Sequence, residues 1–253
     1  MSEINVTRDG PVATVEIDRP PHNHVSVDLM RRLADALDGI DADRALRVSV
    51  LVSAGKSFCA GADLVAGIAT RGTGGVDELY VEAVRLFSAK KPIVAAIQGA
   101  AVGAGLGLAL VADFRVAAPE ARFVANFVKL GFHPGFGITH TLPRLIGPQK
   151  AALMCLTGRR VKGDEAVAWG LADVLAPLDG LRDAALTLAR EIAENAPLAV
   201  EATRATLRAD LARAVKGQTD IELAIQTRLR QTADYAEGVR AVAERRPGIF
   251  IGA

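Results

Sequence analysis

The stretch Lys56-Ser57-Phe58-Cys59-Ala60-Gly61-Ala62-Asp63-Leu64 decides the fold when read with Pro92-Ile93-Val94-Ala95-Ala96-Ile97-Gln98-Gly99-Ala100-Ala101-Val102-Gly103-Ala104-Gly105. Each contains or follows a β-branched, apolar run that predicts a buried strand. Each then breaks into small residues where a helix should begin. Small residues let backbone N–H groups approach a ligand, and a helix N-terminus adds positive partial charge to those donors. Two such turns facing each other would hold an oxyanion between two N–H groups.

Working outward, Ile4 to Thr7 and Val12 to Ile17 flank Asp9-Gly10, a hairpin signal. Ser26 caps a predicted helix whose Leu29, Leu33, Leu37 and Ile40 form one apolar stripe. Val48 to Val52 reads as the next strand, and Asp77 to Ser88 as a helix after the glycine-rich Arg71-Gly72-Thr73-Gly74-Gly75. Pro92 to Ile97 is the strand that feeds the second turn, Ala104 to Ala112 an apolar helix, and Phe114 to Ala117 a further strand. Strands separated by helices predict an α/β architecture with parallel elements. From Gly147 onward the pattern is almost wholly helical, with Leu181 to Ala196 and Ile221 to Glu244 the longest segments. The expected division is an α/β core over 1–195 and a helical C-terminal region over 196–253, starting near Asn195-Ala196-Pro197.

A chain of 253 residues is long enough for one large core. Thirty basic residues against 29 acidic ones leave a net charge of +1, which gives no reason to expect nucleic acid or an anionic membrane as partner. Cys59 and Cys155 make neither a metal-binding spacing nor a disulfide framework, which favours a reducing compartment and no metal site. Met1-Ser2-Glu3-Ile4-Asn5 lacks the basic and apolar regions of a signal peptide. Asp113 interrupts the longest apolar run before it reaches the ~18 residues of a membrane span. The expected setting is cytoplasmic.

The chain resembles the enoyl-CoA hydratase/isomerase (crotonase) family, and the resemblance runs over nearly its whole length. Besides the two turns it is carried by Arg19-Pro20, by Phe123 through Gly135-Phe136-Gly137, and by Leu142-Pro143-Arg144-Leu145-Ile146-Gly147. Leu156-Thr157-Gly158-Arg159-Arg160, Glu165 through Asp173 and Glu244-Arg245-Arg246-Pro247-Gly248-Ile249-Phe250 complete the series. Each segment is weak alone; their order and spacing are specific. The resemblance implies a crotonase (ClpP-like) fold of repeated ββα units whose terminal helices build a homotrimer or a dimer of trimers. It also implies an acyl-CoA or enoyl-CoA thioester as ligand, with no cofactor beyond the CoA of the substrate.

Position by position, the resemblance puts the oxyanion-hole donors at the N–H groups of Ala62 and Ala104. Ala60 would lie against the adenine half of CoA and Lys56 would reach its phosphates. Arg245 to Phe250 would contact CoA, from the same or a neighbouring subunit. A lone lysine beside a glycine-containing strand-to-helix turn suits an anionic ligand, and a solvated loop lysine fits Lys56 as well. Alanine stands at 104 where glycine is usual; it keeps the N–H and adds a methyl that would narrow the acyl pocket.

Hydratases of the family use two glutamates, one to activate water and one to supply the α-proton. Counted from Gly103-Ala104-Gly105 the first falls on Gly107, and counted back from Gly131 the second falls on Phe127. Both acids are missing, so the thioester cradle is expected without the usual proton-transfer pair. Restoring both, as Gly107→Glu with Phe127→Glu, would be the direct attempt at rescue. His133, in the loop after the second position, is the candidate substitute acid or base; a loop histidine bonded to backbone is its other reading. Asp77, Glu78 and Glu82 on the helix over the acyl end are further candidates, each equally readable as a solvated helix face. His22 and His24 flank Asn23 where CoA would pass. Asp63 is expected to cap the helix after the first turn, and Cys59 to pack in the core.

Gly103-Ala104-Gly105-Leu106-Gly107-Leu108 is not a dinucleotide fingerprint, because Leu108 stands where its third glycine belongs. A peptidase on a ClpP-like fold would need a nucleophile turn such as G-x-S-x-G, which is absent from the chain. Two readings remain open. One is an acyl-CoA lyase or isomerase, acting in fatty-acid or acyl-CoA metabolism with unconventional side chains. The other is a protein that holds acyl-CoA without transforming it.

Overall fold

The computed structural model describes residues 3–62 and 74–253. The expected Asp63 cap and the Arg71 to Thr73 part of the glycine-rich stretch lie outside them.

The main sheet is assembled from β1 (Ile4–Asp9), β2 (Val12–Ile17), β3 (Val48–Ser53), β4 (Ile93–Ile97), β6 (Phe114–Ala117) and β9 (Val174–Leu175), in the order β1-β2-β3-β4-β6-β9. β1 and β2 form the antiparallel hairpin predicted around Asp9-Gly10, and Gly10 supplies the positive φ its turn requires. Every later pairing in this sheet is parallel. A second, smaller sheet joins β5 (Ala100–Val102), β7 (Arg122–Val124) and β8 (Arg160–Lys162) in the order β5-β7-β8.

Alternation along the central strands sorts side chains onto two faces. Val48, Val50, Val52, Val94 and Ala96 face α6 (Leu181–Ala193), which answers with Leu181, Ala185, Ala189 and Ala193. The four-residue spacing of those alanines gives α6 a smooth stripe that can lie close to the sheet. Leu51, Ile93, Ala95 and Ile97 join the larger core on the opposite face. That core also takes the stripe of α1 (Val27–Ala42) and the buried side of α2 (Gly74–Phe87). Ser26 caps α1 as expected, its Oγ accepting from the Leu29 N–H at 3.1 Å.

The next helices are α3 (Ala104–Ala109), α4 (Ile138–Thr157) and α5 (Gly163–Trp169); α7 (Pro197–Leu207), α8 (Leu211–Leu229) and α9 (Ala233–Ala243) close the chain. The single long helix expected over 221–244 is two helices, because Thr232 ends one path and caps α9 by accepting from the Tyr235 N–H. Asp113 clamps the start of the C-terminal region, its carboxylate meeting Arg204 at 2.9 Å and Arg208 at 2.7 Å. The inward face of α8 is Leu211, Val215, Thr219, Glu222 and Gln226, so Ile221 and Ala224 look outward. No described helix is long and apolar enough to cross a membrane.

Candidate active site

The loop after β3 is tied down by one buried side chain. Asn23 donates from Nδ2 to the carbonyls of Ala54 and Ser57, both at 2.8 Å, and its Oδ1 accepts from the Arg19 N–H at 3.0 Å. The Ala60 N–H donates to the His22 carbonyl, and Cys59 pairs across to β5 through Ala100 and Val102. Cys59 is fully buried, and burial pushes its thiol up to about 12, so it remains a neutral packing group.

Two peptide planes are oriented by this scaffold. The Gly61 carbonyl accepts from the Val25 N–H at 2.9 Å and lies 3.1 Å from His24 Nδ1. In a trans peptide C=O and N–H point oppositely, so the Ala62 N–H is turned away from Val25. The Gly103 carbonyl accepts from the Gly107 N–H at 3.1 Å inside α3, which leaves the Ala104 N–H pointing out of the helix N-terminus. Neither N–H has a partner among the described residues. Gly61 at φ +87° and Gly103 at φ +56° adopt conformations that disfavour a side chain, and a Cβ on Gly61 would strike the Val102 carbonyl at 2.6 Å. That same Cβ position is 3.7 Å from the Ala104 nitrogen, so the two turns touch.

Ala60, Ala62 and Ala104 line one cavity of about 110 Å³. Its walls are otherwise mostly apolar, including Val76, Leu79, Phe127, Leu130, Phe132 and Phe136. The polar side chains among its described lining residues are Tyr80, Asn126, Gln226, Arg230 and Tyr235; no carboxylate, imidazole, thiol or amine stands among them. Tyr80 donates to Gln226 Oε1 at 2.8 Å, and Gln226 Nε2 donates to the His133 carbonyl at 2.9 Å. Burial, reinforced by Glu222, raises the Tyr80 hydroxyl above the ordinary tyrosine range. Glu222 accepts from the N–H groups of Gly137 and Thr139 and from the Thr139 hydroxyl, thereby capping α4. Burial nevertheless pushes its pKa upward.

Both expected glutamate positions are closed by aromatic packing. Phe127 sits in a 3-10 turn over Asn126–Leu130 and faces the cavity. A Cβ on Gly107 would lie 2.6 Å from Cγ and Cδ1 of Phe136 and 2.7 Å from its Cβ. Phe136 is fully buried at φ +64°, with its ring edge-on to Phe87. The space a first glutamate would enter is therefore a phenyl ring.

The remaining sequence candidates fall elsewhere. His133 lies outside the cavity lining, with its Nδ1 2.7 Å from the Pro134 carbonyl oxygen, which is the backbone-bonded arrangement. Asp77 and Glu78 are exposed, whereas Glu82 is buried against Arg31 and Arg85. Lys56 is exposed and borders a second, open cleft with Gln98, Arg122 and Arg182. Arg245 and Phe250 belong to a tail folded along α9, where Asp234 accepts from the Ile251 and Gly252 N–H groups. Within one chain that tail does not line the cavity. Sequence reasoning missed Tyr80, Gln226, Arg230 and Tyr235. Tyr80 is on α2, the helix that carries the candidate acids Asp77, Glu78 and Glu82.

The sequence model of enoyl-CoA hydratase/isomerase matches residues 7–252, and the chain belongs to that family. It is 33% identical over 264 residues to carnitinyl-CoA dehydratase of Salmonella enteritidis PT4, covering 100% of both chains. The solved enoyl-CoA hydratase/isomerase of Pseudoalteromonas atlantica T6c superposes with a TM-score of 0.90 at 29% identity, covering 99% of this chain and 100% of that one. An enoyl-CoA hydratase of Bacillus anthracis gives 0.79 at 30% identity over 100% of both. The crotonase fold expected from the sequence is thus shown.

Proposed function

We propose that the protein binds an acyl-CoA thioester with its carbonyl oxygen between the N–H groups of Ala62 and Ala104, and acts on it as a lyase or isomerase of acyl-CoA metabolism. The observation that carries this reading is the pair of peptide planes. Each carbonyl is engaged behind the turn, at Gly61 and at Gly103, and each following N–H lacks a described partner at the same cavity. Donors fixed in advance stabilise a developing enolate oxygen without reorganising, and each can be worth about 2.7–4 kcal/mol in a transition state. Ala60, in the cavity wall, would contact CoA, Lys56 would reach its phosphates, and Arg245 and Phe250 would reach it from a neighbouring subunit. Exposed Leu153, Leu156, Leu198, Leu207 and Ile221 support burial in a homotrimer or dimer of trimers.

Hydration by two carboxylates is not the chemistry proposed, because Gly107 and Phe127 fill their places. A general acid or base contributes about 10²–10⁴-fold, so losing both leaves little hydration. The lining, free of acids among the described residues, favours a second reading, in which the thioester is held without being transformed. Binding and turnover measured together on crotonyl-CoA, a 3-enoyl-CoA and a longer 2-enoyl-CoA test both. Turnover of any member with slow crotonyl-CoA hydration supports the enzyme, and binding without turnover supports the carrier. Rapid crotonyl-CoA hydration refutes the impaired-chemistry reading, and absence of binding refutes both.

A further inference from the structure

Arg230, at the C-terminal end of α8, lines the cavity with its guanidinium over the Phe132 ring, 5.2 Å from the ring centroid. Its Nε is shut off from solvent with no hydrogen-bond partner, and its side chain has no ion pair among the described residues. Arg44, Arg122, Arg160, Arg228 and Arg245 also lack side-chain partners among the described residues, but they are exposed, whereas Arg230 is half-buried. Glu222, the acid earlier on the inward face of α8, is committed to Gly137 and Thr139. A cation among Leu130, Phe132 and Tyr235 is poorly hydrated, and a planar guanidinium fork matches a carboxylate.

The thioester donors come from the loop after β3 and from α3, whereas Arg230 comes from the wall that α8 and α9 supply. The mostly apolar lining between them suits an acyl chain and opposes burial of a diphosphate. Resting on the acyl-CoA reading above, we propose that Arg230 selects acyl groups that carry a carboxylate. The preferred ligand class is then the CoA monothioester of a dicarboxylic acid.

The test is equilibrium binding, by calorimetry, of malonyl-, succinyl-, glutaryl- and adipyl-CoA. Each is compared with the uncharged thioester of equal carbon number, from propionyl- to hexanoyl-CoA. At least one carboxylated member should bind about 10-fold or more tightly than its uncharged match, the range expected for a charge-assisted pair. In Arg230→Met that ratio should collapse toward one, and Arg230→Lys should keep part of it. Equal affinity across every matched pair in the wild type overturns the proposal without needing a variant. So does a preference that survives Arg230→Met, or an equal loss for free CoA and both series, which would assign Arg230 to the CoA moiety. If uncharged thioesters and free CoA also fail to bind, the acyl-CoA reading falls with it.

Discussion

Gly107→Ala is the smallest perturbation that asks whether Phe136 occupies the place of the missing acid. The added methyl would meet three Phe136 atoms at 2.6–2.7 Å, where carbon atoms pack best at about 3.5–4.0 Å. The ring cannot swing aside easily, because it is fully buried and held edge-on to Phe87. Overpacking of this kind costs about 1–3 kcal/mol, and contact with the base of the ring places this site near the upper end. Alanine is the better helix former by about 1 kcal/mol, which offsets part of the loss. The net expectation is destabilisation by about 2 kcal/mol. In a Phe136→Gly background the obstructing atoms are gone and φ +64° suits glycine. There Gly107→Ala should be neutral or stabilising, a coupling of about 2–3 kcal/mol. Urea unfolding of the four proteins at one fixed concentration gives the cycle. A Gly107→Ala effect below about 0.5 kcal/mol, or the same penalty in both backgrounds, would refute the steric argument. By the same geometry Gly107→Glu with Phe127→Glu should fail to restore hydration, since it also buries carboxylates among aromatic rings.

Two further outcomes follow from buried groups. Cys59, with its thiol pushed up to about 12, holds almost no thiolate at pH 8 and should resist iodoacetamide in the native protein while reacting after denaturation; mass spectrometry of the modified peptide reads this, and rapid native alkylation would contradict it. Glu222→Ala leaves two N–H groups and the Thr139 hydroxyl without their acceptor. It should destabilise by about 2–3 kcal/mol in the same unfolding assay, and an unchanged midpoint would show that the α4 cap is dispensable.

Much of the α/β core was legible because its signals are local. The Asp9-Gly10 turn, the Ser26 cap and the apolar run Val48 to Val52 each act over a few residues, and the structure places all of them as read. The two small-residue turns were also legible, since glycine at 61 and 103 answers to backbone geometry. What stayed hidden depends on contacts distant in sequence. The apolar periodicity over 221–244 runs straight through the break that Thr232 makes, because period alone does not register a cap inside it. Phe136 blocks Gly107 across 29 residues, and Arg230 reaches a cavity whose donors lie far earlier in the chain. His133 is a candidate base from its sequence neighbourhood, and only the fold shows its Nδ1 against the adjacent Pro134 carbonyl and the residue outside the described cavity lining.

The central claim is that two backbone N–H groups receive the thioester carbonyl, and deleting one of them tests it most directly. Ala104 is the first residue of α3, the helical position where proline is best tolerated, so Ala104→Pro removes the donor with little harm to the helix. The measurement is the affinity ratio between an acyl-CoA thioester and the matching alkyl-CoA thioether, which lacks the carbonyl. Wild type and Ala104→Gly should favour the thioester. Ala104→Pro, with an unchanged circular dichroism spectrum, should lose about 5-fold of that preference, the worth of one hydrogen bond of about 1 kcal/mol. A folded Ala104→Pro protein with the wild-type ratio, or a wild-type ratio of one, would contradict the account.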